Sequence, residues 1–150
     1  MRELHGLTLY RLQRWKEAAR ELEAFRSLTA ATEQHPVLAD CYRALRRWDD
    51  VDALWEELRA ASPDAGLVAE GRIVTAGSLA ERGRLADAVR LLERAPHARK
   101  RPKEYHLRVA YALADLYERA GDTARARELF RWVAAMDPDL ADVRGRLAGL

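Results

Sequence analysis

The feature that most constrains this chain is a motif that returns four times along its 150 residues. LQRWKEA (12–18) resembles LRRWDDV (45–51), and RGRLADAVRLL (82–92) and AGDTARARELF (120–130) have the same shape. Five columns of equivalent positions keep one register through all four units. Successive units lie 33, 37 and 38 residues apart, as in the column Ala18, Val51, Ala88 and Ala126. Periods of this length predict a repeat architecture built from one supersecondary unit.

Each unit is predicted to be a pair of helices joined by a tight turn. Apolar residues recur three and four apart, as in Ala126, Phe130 and Val133, whereas strand alternation is absent. A break falls in the middle of each unit, where Gly83 and Gly121 suit the left-handed residue that closes a helix. Asp122 then stands where it can cap the following helix.

The remaining columns predict how the two helices pack. A small residue in the first helix allows close approach, and a large residue in the second helix fills the space beside it. The small column holds Gly6, Ala39, Ala76 and Ala114, and the large column holds Leu22, Trp55, Leu92 and Phe130. Two further columns hold Phe25, Leu58, Ala95 and Val133, and Leu9, Tyr42, Leu79 and Tyr117.

The repeat predicts a single all-α domain over residues 1–150. Its units span about 1–33, 34–63, 64–98 and 102–138. Residues 139–150 read as one more first helix with no partner, with the apolar stripe Leu140, Val143, Leu147 and Leu150. We expect this segment to be a capping helix that covers the last unit.

This pattern resembles the tetratricopeptide repeat family. The matching residues are the pairs Ala18/Leu22, Val51/Trp55, Ala88/Leu92 and Ala126/Phe130, with Pro63 and Pro138 at the closing proline of two units. The other two units lack that proline, and all four lack the family's tryptophan in the first helix. The resemblance implies a helical-repeat superhelix, an α-solenoid, whose first helices line a concave groove that binds a peptide segment or a partner helix.

The resemblance also implies which residues face that groove. They are the first-helix positions that the columns do not use: Tyr10, Arg11, Asp40, Arg43, Arg108, Tyr111, Asp115 and Arg119. Tyrosine with arginine is typical of interface positions that dominate binding; the alternative is that these are ordinary solvated positions. The expected function is a protein–protein interaction scaffold without catalysis. The subclass that grips acidic chaperone termini with a Lys/Asn/Arg clamp is not favoured, because the chain has no Asn.

An alternative function rests on the basic stretch RAPHARKRPKEYHLR (94–108). It has six cations against Glu104, a net charge of +5, and offers Arg99, Lys100, Arg101 and Lys103 as contacts for RNA or DNA. The stretch fills the longest connection between units, where Pro96 ends one helix and Pro102 suits the first turn of the next. A solvated inter-unit turn is therefore favoured over a nucleic-acid site.

No arrangement of residues predicts an active site, a metal or a cofactor. None of the four histidines has a second ligand at helical spacing, no phosphate-binding loop is present, and Cys41 reads as a small packed residue. No apolar run resembles a signal peptide or a membrane span, so we expect a cytoplasmic protein. The 23 Arg against 3 Lys fit a GC-rich bacterial genome. The first helix lacks a capping residue, which suggests a shortened chain or self-association through the N-terminal end.

Overall fold

The structure of the chain is a computed structural model that describes residues 2–61 and 63–150. The described residues are mostly helical and contain no strand. Their helices are α1 (Arg2–Arg11), α2 (Trp15–Thr29), α3 (His35–Ala44), α4 (Trp48–Ala61), α5 (Ala65–Glu81), α6 (Leu85–Glu93), α7 (Glu104–Arg119), α8 (Thr123–Met136) and α9 (Val143–Ala148). None of these described helices is long and apolar enough to cross a membrane.

The chain forms two compact units, each larger than one repeat unit, and the boundary between them lies inside α5. The first comprises residues up to Ser78 and the second runs from Leu79 to Leu150. The expectation of a single domain over 1–150 stays a prediction. In the first unit α1 packs on α2, α2 on α3, and α3 on α4; in the second α6 packs on α7, α7 on α8, and α8 on α9.

The turn inside each pair is the same at all four places. One residue adopts a left-handed backbone, with φ of 79° at Gly83 and 84° at Gly121, as predicted. The equivalent turns between α1 and α2 and between α3 and α4 place Gln13 (φ 59°) and Arg46 (φ 61°) in the same conformation. The next amide then donates back to the carbonyl five residues earlier, for example Asp122 N to Tyr117 O at 2.8 Å. This bond satisfies a carbonyl that the helix end would otherwise leave without a donor.

The start of each second helix carries a repeated ion pair three residues apart. Asp122 has the predicted capping role, because its Oδ1 accepts from the Arg125 backbone N–H at 3.1 Å. The other three helices carry the same pair with the charges exchanged, so an arginine occupies the position before the helix. The pairs are Arg14–Glu17, Arg47–Asp50, Arg84–Asp87 and Asp122–Arg125. An acid in the first turn is favourable to the helix dipole in the three exchanged cases.

The predicted columns form the core. Leu22, Leu92 and Phe130 are at most 1% exposed and Trp55 is 7% exposed, and the small column is buried beside them. The helices α1 and α2 pack closely at Gly6. A Cβ added to Gly6 would lie 2.8 Å from Leu22 Cγ, nearer than real Cβ atoms approach other atoms. Phe25, Leu79 and Tyr117 depart from their columns, since they are only half-buried.

Adjacent helix pairs are joined by a repeated tyrosine–glutamate hydrogen bond. Tyr42 in α3 donates to Glu23 in α2 at 2.7 Å, and Tyr117 in α7 donates to Glu93 in α6 at 2.6 Å. The two bonds use equivalent positions of the repeat. Burial opposes the ionisation of Glu23, but hydrogen bonds from Tyr42 and Arg26 outweigh it and lower the pKa of Glu23.

The C-terminal segment caps the second unit with a shorter helix than predicted. Residues 139–150 were expected to be helical, whereas α9 spans only Val143–Ala148 and follows a turn in which Ala141 has a φ of 48°. Val143 is fully buried in the core formed with Phe130 and Val133, and Leu140, Leu147 and Leu150 pack around it. The predicted apolar stripe is therefore the face that α9 buries.

Candidate functional site

In the first unit, a polar cluster joins the first helices of two neighbouring pairs. The Tyr10 hydroxyl on α1 donates to Asp40 Oδ2 on α3 at 2.6 Å, and Arg43 Nε donates to Asp40 Oδ1 at 2.7 Å. These are three of the four groove residues predicted in this unit. The fourth, Arg11, is exposed at the end of α1. The fold therefore places a tyrosine, an aspartate and an arginine side by side across two helices.

The Tyr10 side chain is held rigidly in this cluster. Its ring packs edge to face on Trp15, with 5.5 Å between ring centroids. Burial, followed by the hydrogen bond to Asp40, raises the pKa of Tyr10 well above its usual value. The phenol thus stays a hydrogen-bond donor at physiological pH, and the aspartate is fixed between two donors.

In the second unit, α9 engages the predicted groove residues of α7. Arg146 Nη2 donates to Asp115 Oδ1 at 2.7 Å and to Glu118 Oε1 at 3.1 Å, and the Tyr111 hydroxyl donates to Asp142. Burial works against the charge on Arg146, but its hydrogen bonds to these carboxylates outweigh it and raise the pKa of Arg146. The face of α7 is therefore built jointly with α9.

This pairing changes what Tyr111 can do. Its ring packs edge to face on the buried Phe130, with 5.5 Å between centroids, and Arg146 lies over the same Phe130 ring at 5.0 Å. Removing Tyr111 would disturb the capping helix as well as any binding face. Arg119 is a cleaner probe, because its side chain is more than half exposed and makes an ion pair with Asp115 at 3.1 Å.

Sequence reasoning missed Arg146 and Asp142 because it treated the C-terminal segment as an apolar cap. Arg146 stands three residues after Val143 and directly before Leu147, at the edge of the stripe that α9 buries. An arginine at that edge of a capping helix was the available signal. Arg108, the remaining predicted residue on α7, is exposed.

The basic stretch 94–108, here called the basic connection, lies outside the helices for most of its length. Arg99, Lys100 and Arg101 are exposed and non-helical, and Lys103 immediately precedes α7. The backbone N–H of Lys103 donates to His106 Nδ1 at 2.9 Å. The prediction that Pro102 sits in the first turn of the helix is wrong, because α7 begins at Glu104. At this helix end, His106 in the first turn accepts the hydrogen bond from the capping residue Lys103.

Among residues 2–61 and 63–150, no group of three or more histidine, cysteine, aspartate or glutamate side chains could hold a metal ion. Cys41 is fully buried in α3. Burial, with a further effect of the neighbouring Asp40, raises the pKa of its thiol to about 12. A thiol in that state is protonated and inaccessible, which is unlike a reactive cysteine.

Residues 107–150, which form most of α7 together with α8 and α9, match a family model described as tetratricopeptide repeat. A search of curated proteins found no match to the chain. The matched segment contains the Ala126/Phe130 pair, Pro138 and the capping helix. Tetratricopeptide repeats are in general modules that bind other proteins and are typically not catalytic.

Proposed function

From the tetratricopeptide repeat that the chain carries at residues 107–150, we propose that the protein is an interaction scaffold that binds a partner protein through its first helices. The observation that carries the proposal is the cluster of Tyr10, Asp40 and Arg43, which spans α1 and α3 at hydrogen-bonding distance. These half-buried side chains present donors and a carboxylate in fixed positions. Preorganised polar groups lose little conformational entropy on binding.

The same principle applies to the face of α7. Asp115 accepts from Arg146 at 2.7 Å and pairs with Arg119 at 3.1 Å, so its carboxylate is held between two cations. Arg119 and Arg108 are the exposed cations of this helix. Each unit therefore offers a tyrosine and an aspartate held in place by an arginine, and tyrosine and arginine are residue types that dominate binding energy at many interfaces.

The test compares charge reversals on first and second helices. Arg11→Glu and Arg119→Glu change exposed positions of α1 and α7, whereas Arg20→Glu and Arg131→Glu make the same change at exposed positions of α2 and α8. Each variant is used to capture proteins from a lysate of the organism that encodes the chain. We expect Arg11→Glu or Arg119→Glu to lose partners that the wild type and both controls retain.

Thermal unfolding of each variant is measured in parallel, because a capture experiment is meaningful only for folded protein. Exposed charge changes should alter stability by less than about 0.5 kcal/mol, and losing the exposed Arg119–Asp115 ion pair should cost at most about 1 kcal/mol. If the first-helix variants and the second-helix controls capture the same partners, the first helices are not the binding face. If the controls alone lose partners, binding uses the second helices and the proposal is wrong.

A further inference from the structure

The second unit contains a cleft of ≈ 370 Å³ on a face different from the one proposed above to bind a partner. It lies among the end of α6, the basic connection, α7 and α8. Its apolar surface comes from Leu113, Leu129 and Trp132. The volume falls in the range of small-molecule sites, which starts at about 300 Å³.

The cleft exists because α6 is short. The other second helices α2, α4 and α8 have 15, 14 and 14 residues, whereas α6 has 9 and ends at Glu93. Pro96 follows two residues after its C-terminal cap and cannot continue the helix. Ala95 also stands in the column that elsewhere holds Phe25, Leu58 and Val133, so less volume is filled at this place.

The charged side chains that line the cleft differ in whether they have an ion-pair or hydrogen-bond partner. Glu93 accepts from Tyr117 at 2.6 Å, and Arg125 lies 3.4 Å from Asp122 and 3.9 Å from Glu93. Arg99 also lines the cleft, and within the described part of the chain it makes no ion pair with a carboxylate. One free cation is therefore available at the end of the cleft nearest the connection.

The surrounding charge favours an anion at that end. Arg99 and Arg125 are balanced within the cleft by Glu93 and Glu128. The connection then adds Arg94, Lys100, Arg101 and Lys103, and residues 94–103 contain no acid. Cations close to a partly enclosed apolar surface attract an anion that also carries an apolar body.

We propose that this cleft binds a small amphipathic organic anion, with its charged group at Arg99 and its apolar body against Leu113, Leu129 and Trp132. His97 and His106 also line the charged end. His97 Nε2 is hydrogen-bonded to the Glu93 carbonyl at 3.0 Å, and His106 Nδ1 accepts from Lys103 N at 2.9 Å. Both rings are thereby held in place, and His106 keeps Nε2 for a ligand.

The probe is anilinonaphthalene sulfonate, compared with N-phenyl-naphthylamine, which has the same aromatic body and no sulfonate. Binding is followed by fluorescence titration at physiological salt, where charges more than about 8 Å from the ligand are largely screened. We expect the sulfonate to bind the wild type more tightly than the neutral compound. Arg99→Glu should weaken sulfonate binding about three- to tenfold, the range for reversing one partly screened charge contact.

The matched control is Arg101→Glu, because Arg101 lies on the same connection and does not line the cleft. It should weaken sulfonate binding less than Arg99→Glu does, because Arg101 adds to the general positive charge of the connection and does not contact the cleft. Ala98→Phe, which fills the cleft from the connection, should weaken both compounds. Equal effects of Arg99→Glu and Arg101→Glu would mean diffuse attraction to the basic stretch and would overturn the proposal. So would undiminished binding to Ala98→Phe, or no binding of the sulfonate by the wild type.

Nuclear magnetic resonance of the wild type gives a readout that does not depend on a variant folding. Trp132 lines the cleft, whereas Trp15, Trp48 and Trp55 belong to the first unit. On addition of the sulfonate, the indole N–H resonance of Trp132 should shift and the other three should stay in place. A shift of all four, or of a different one, would place the ligand elsewhere.

Discussion

Two glycines of α5 provide a direct test of the packing that the repeat imposes. A Cβ added to Gly71 would lie 2.3 Å from Leu58 Cδ2 and 3.6 Å from Trp55 Cε3. A Cβ added to Gly77 in the same helix would meet no heavy atom within 4 Å. Leu58 is 1% exposed, so its methyl group has little room to move. Gly71→Ala should therefore overpack the core, and Gly77→Ala should not.

The magnitude follows from two terms. Replacing glycine by alanine inside a helix stabilises it by about 1 kcal/mol, and this term is common to both variants. Overpacking a filled core costs about 1–3 kcal/mol, and this term applies only to Gly71→Ala. We therefore expect Gly77→Ala to stabilise the protein and Gly71→Ala to be neutral or destabilising. The difference between the two variants, in which helix propensity cancels, should be about 1–3 kcal/mol.

Urea unfolding measures this difference in the free energy of unfolding. Circular dichroism reports the helices, and tryptophan fluorescence reports mainly the first unit, which contains three of the four tryptophans. Equal shifts of the unfolding midpoint for both variants would refute the reasoning, because Leu58 would then not obstruct position 71. A second check is Leu58→Ala in the Gly71→Ala background, which should cost less than Leu58→Ala in the wild type.

Two further predictions concern the second unit. Asp122→Ala should lower the free energy of unfolding by about 1 kcal/mol, because it removes the acceptor for the Arg125 N–H. Asp122→Asn keeps an acceptor oxygen and should retain most of that stability. Equal losses for the two variants in urea unfolding would rule out the capping role. Burial, and then the hydrogen bond to Glu93, raises the pKa of Tyr117 to about 12, above its value of about 10 in the unfolded chain. The proton is held more tightly in the folded protein, so this contribution to stability is complete below pH ~10 and is lost as the pH rises towards 12. The phenolate absorbance that Tyr117→Phe removes should titrate in that upper range, and its titration near pH 10 would contradict a lasting hydrogen bond from Tyr117 to Glu93.

Much of the architecture was predictable because the same local signals, helical apolar spacing and a left-handed turn residue, recur in every repeat unit. Helices follow from apolar residues three and four apart, and Gly83 and Gly121 mark turns that need a left-handed residue. The turns at Gln13 and Arg46 were located from alignment with those glycines, since neither residue favours positive φ by itself. Alignment of the units thus supplied information that single residues lacked.

The candidate site was predicted in part. Tyr10, Asp40 and Arg43 were named from their position in the repeat, and the structure adds that they bond to one another. Whether they bind a partner stays a prediction. Nothing in the sequence pairs Tyr111 with Asp142, because the two are 31 residues apart, the first within α7 and the second directly before α9. Such pairing depends on the direction of each helix, which local periodicity does not contain.

By itself the sequence determined the paired helices, the turns inside the pairs, most positions of the columns that fill the core and the end of α6 before Pro96. Each of these depends on residues within one turn of helix or on a register repeated through the chain. Only the tertiary structure decided that Arg146 reaches Asp115 and Glu118, and that the missing length of α6 opens a cleft beside Trp132. The physical reason is that ion pairs and cavities arise where elements distant in the chain meet, and their distances are set by the packing of whole helices.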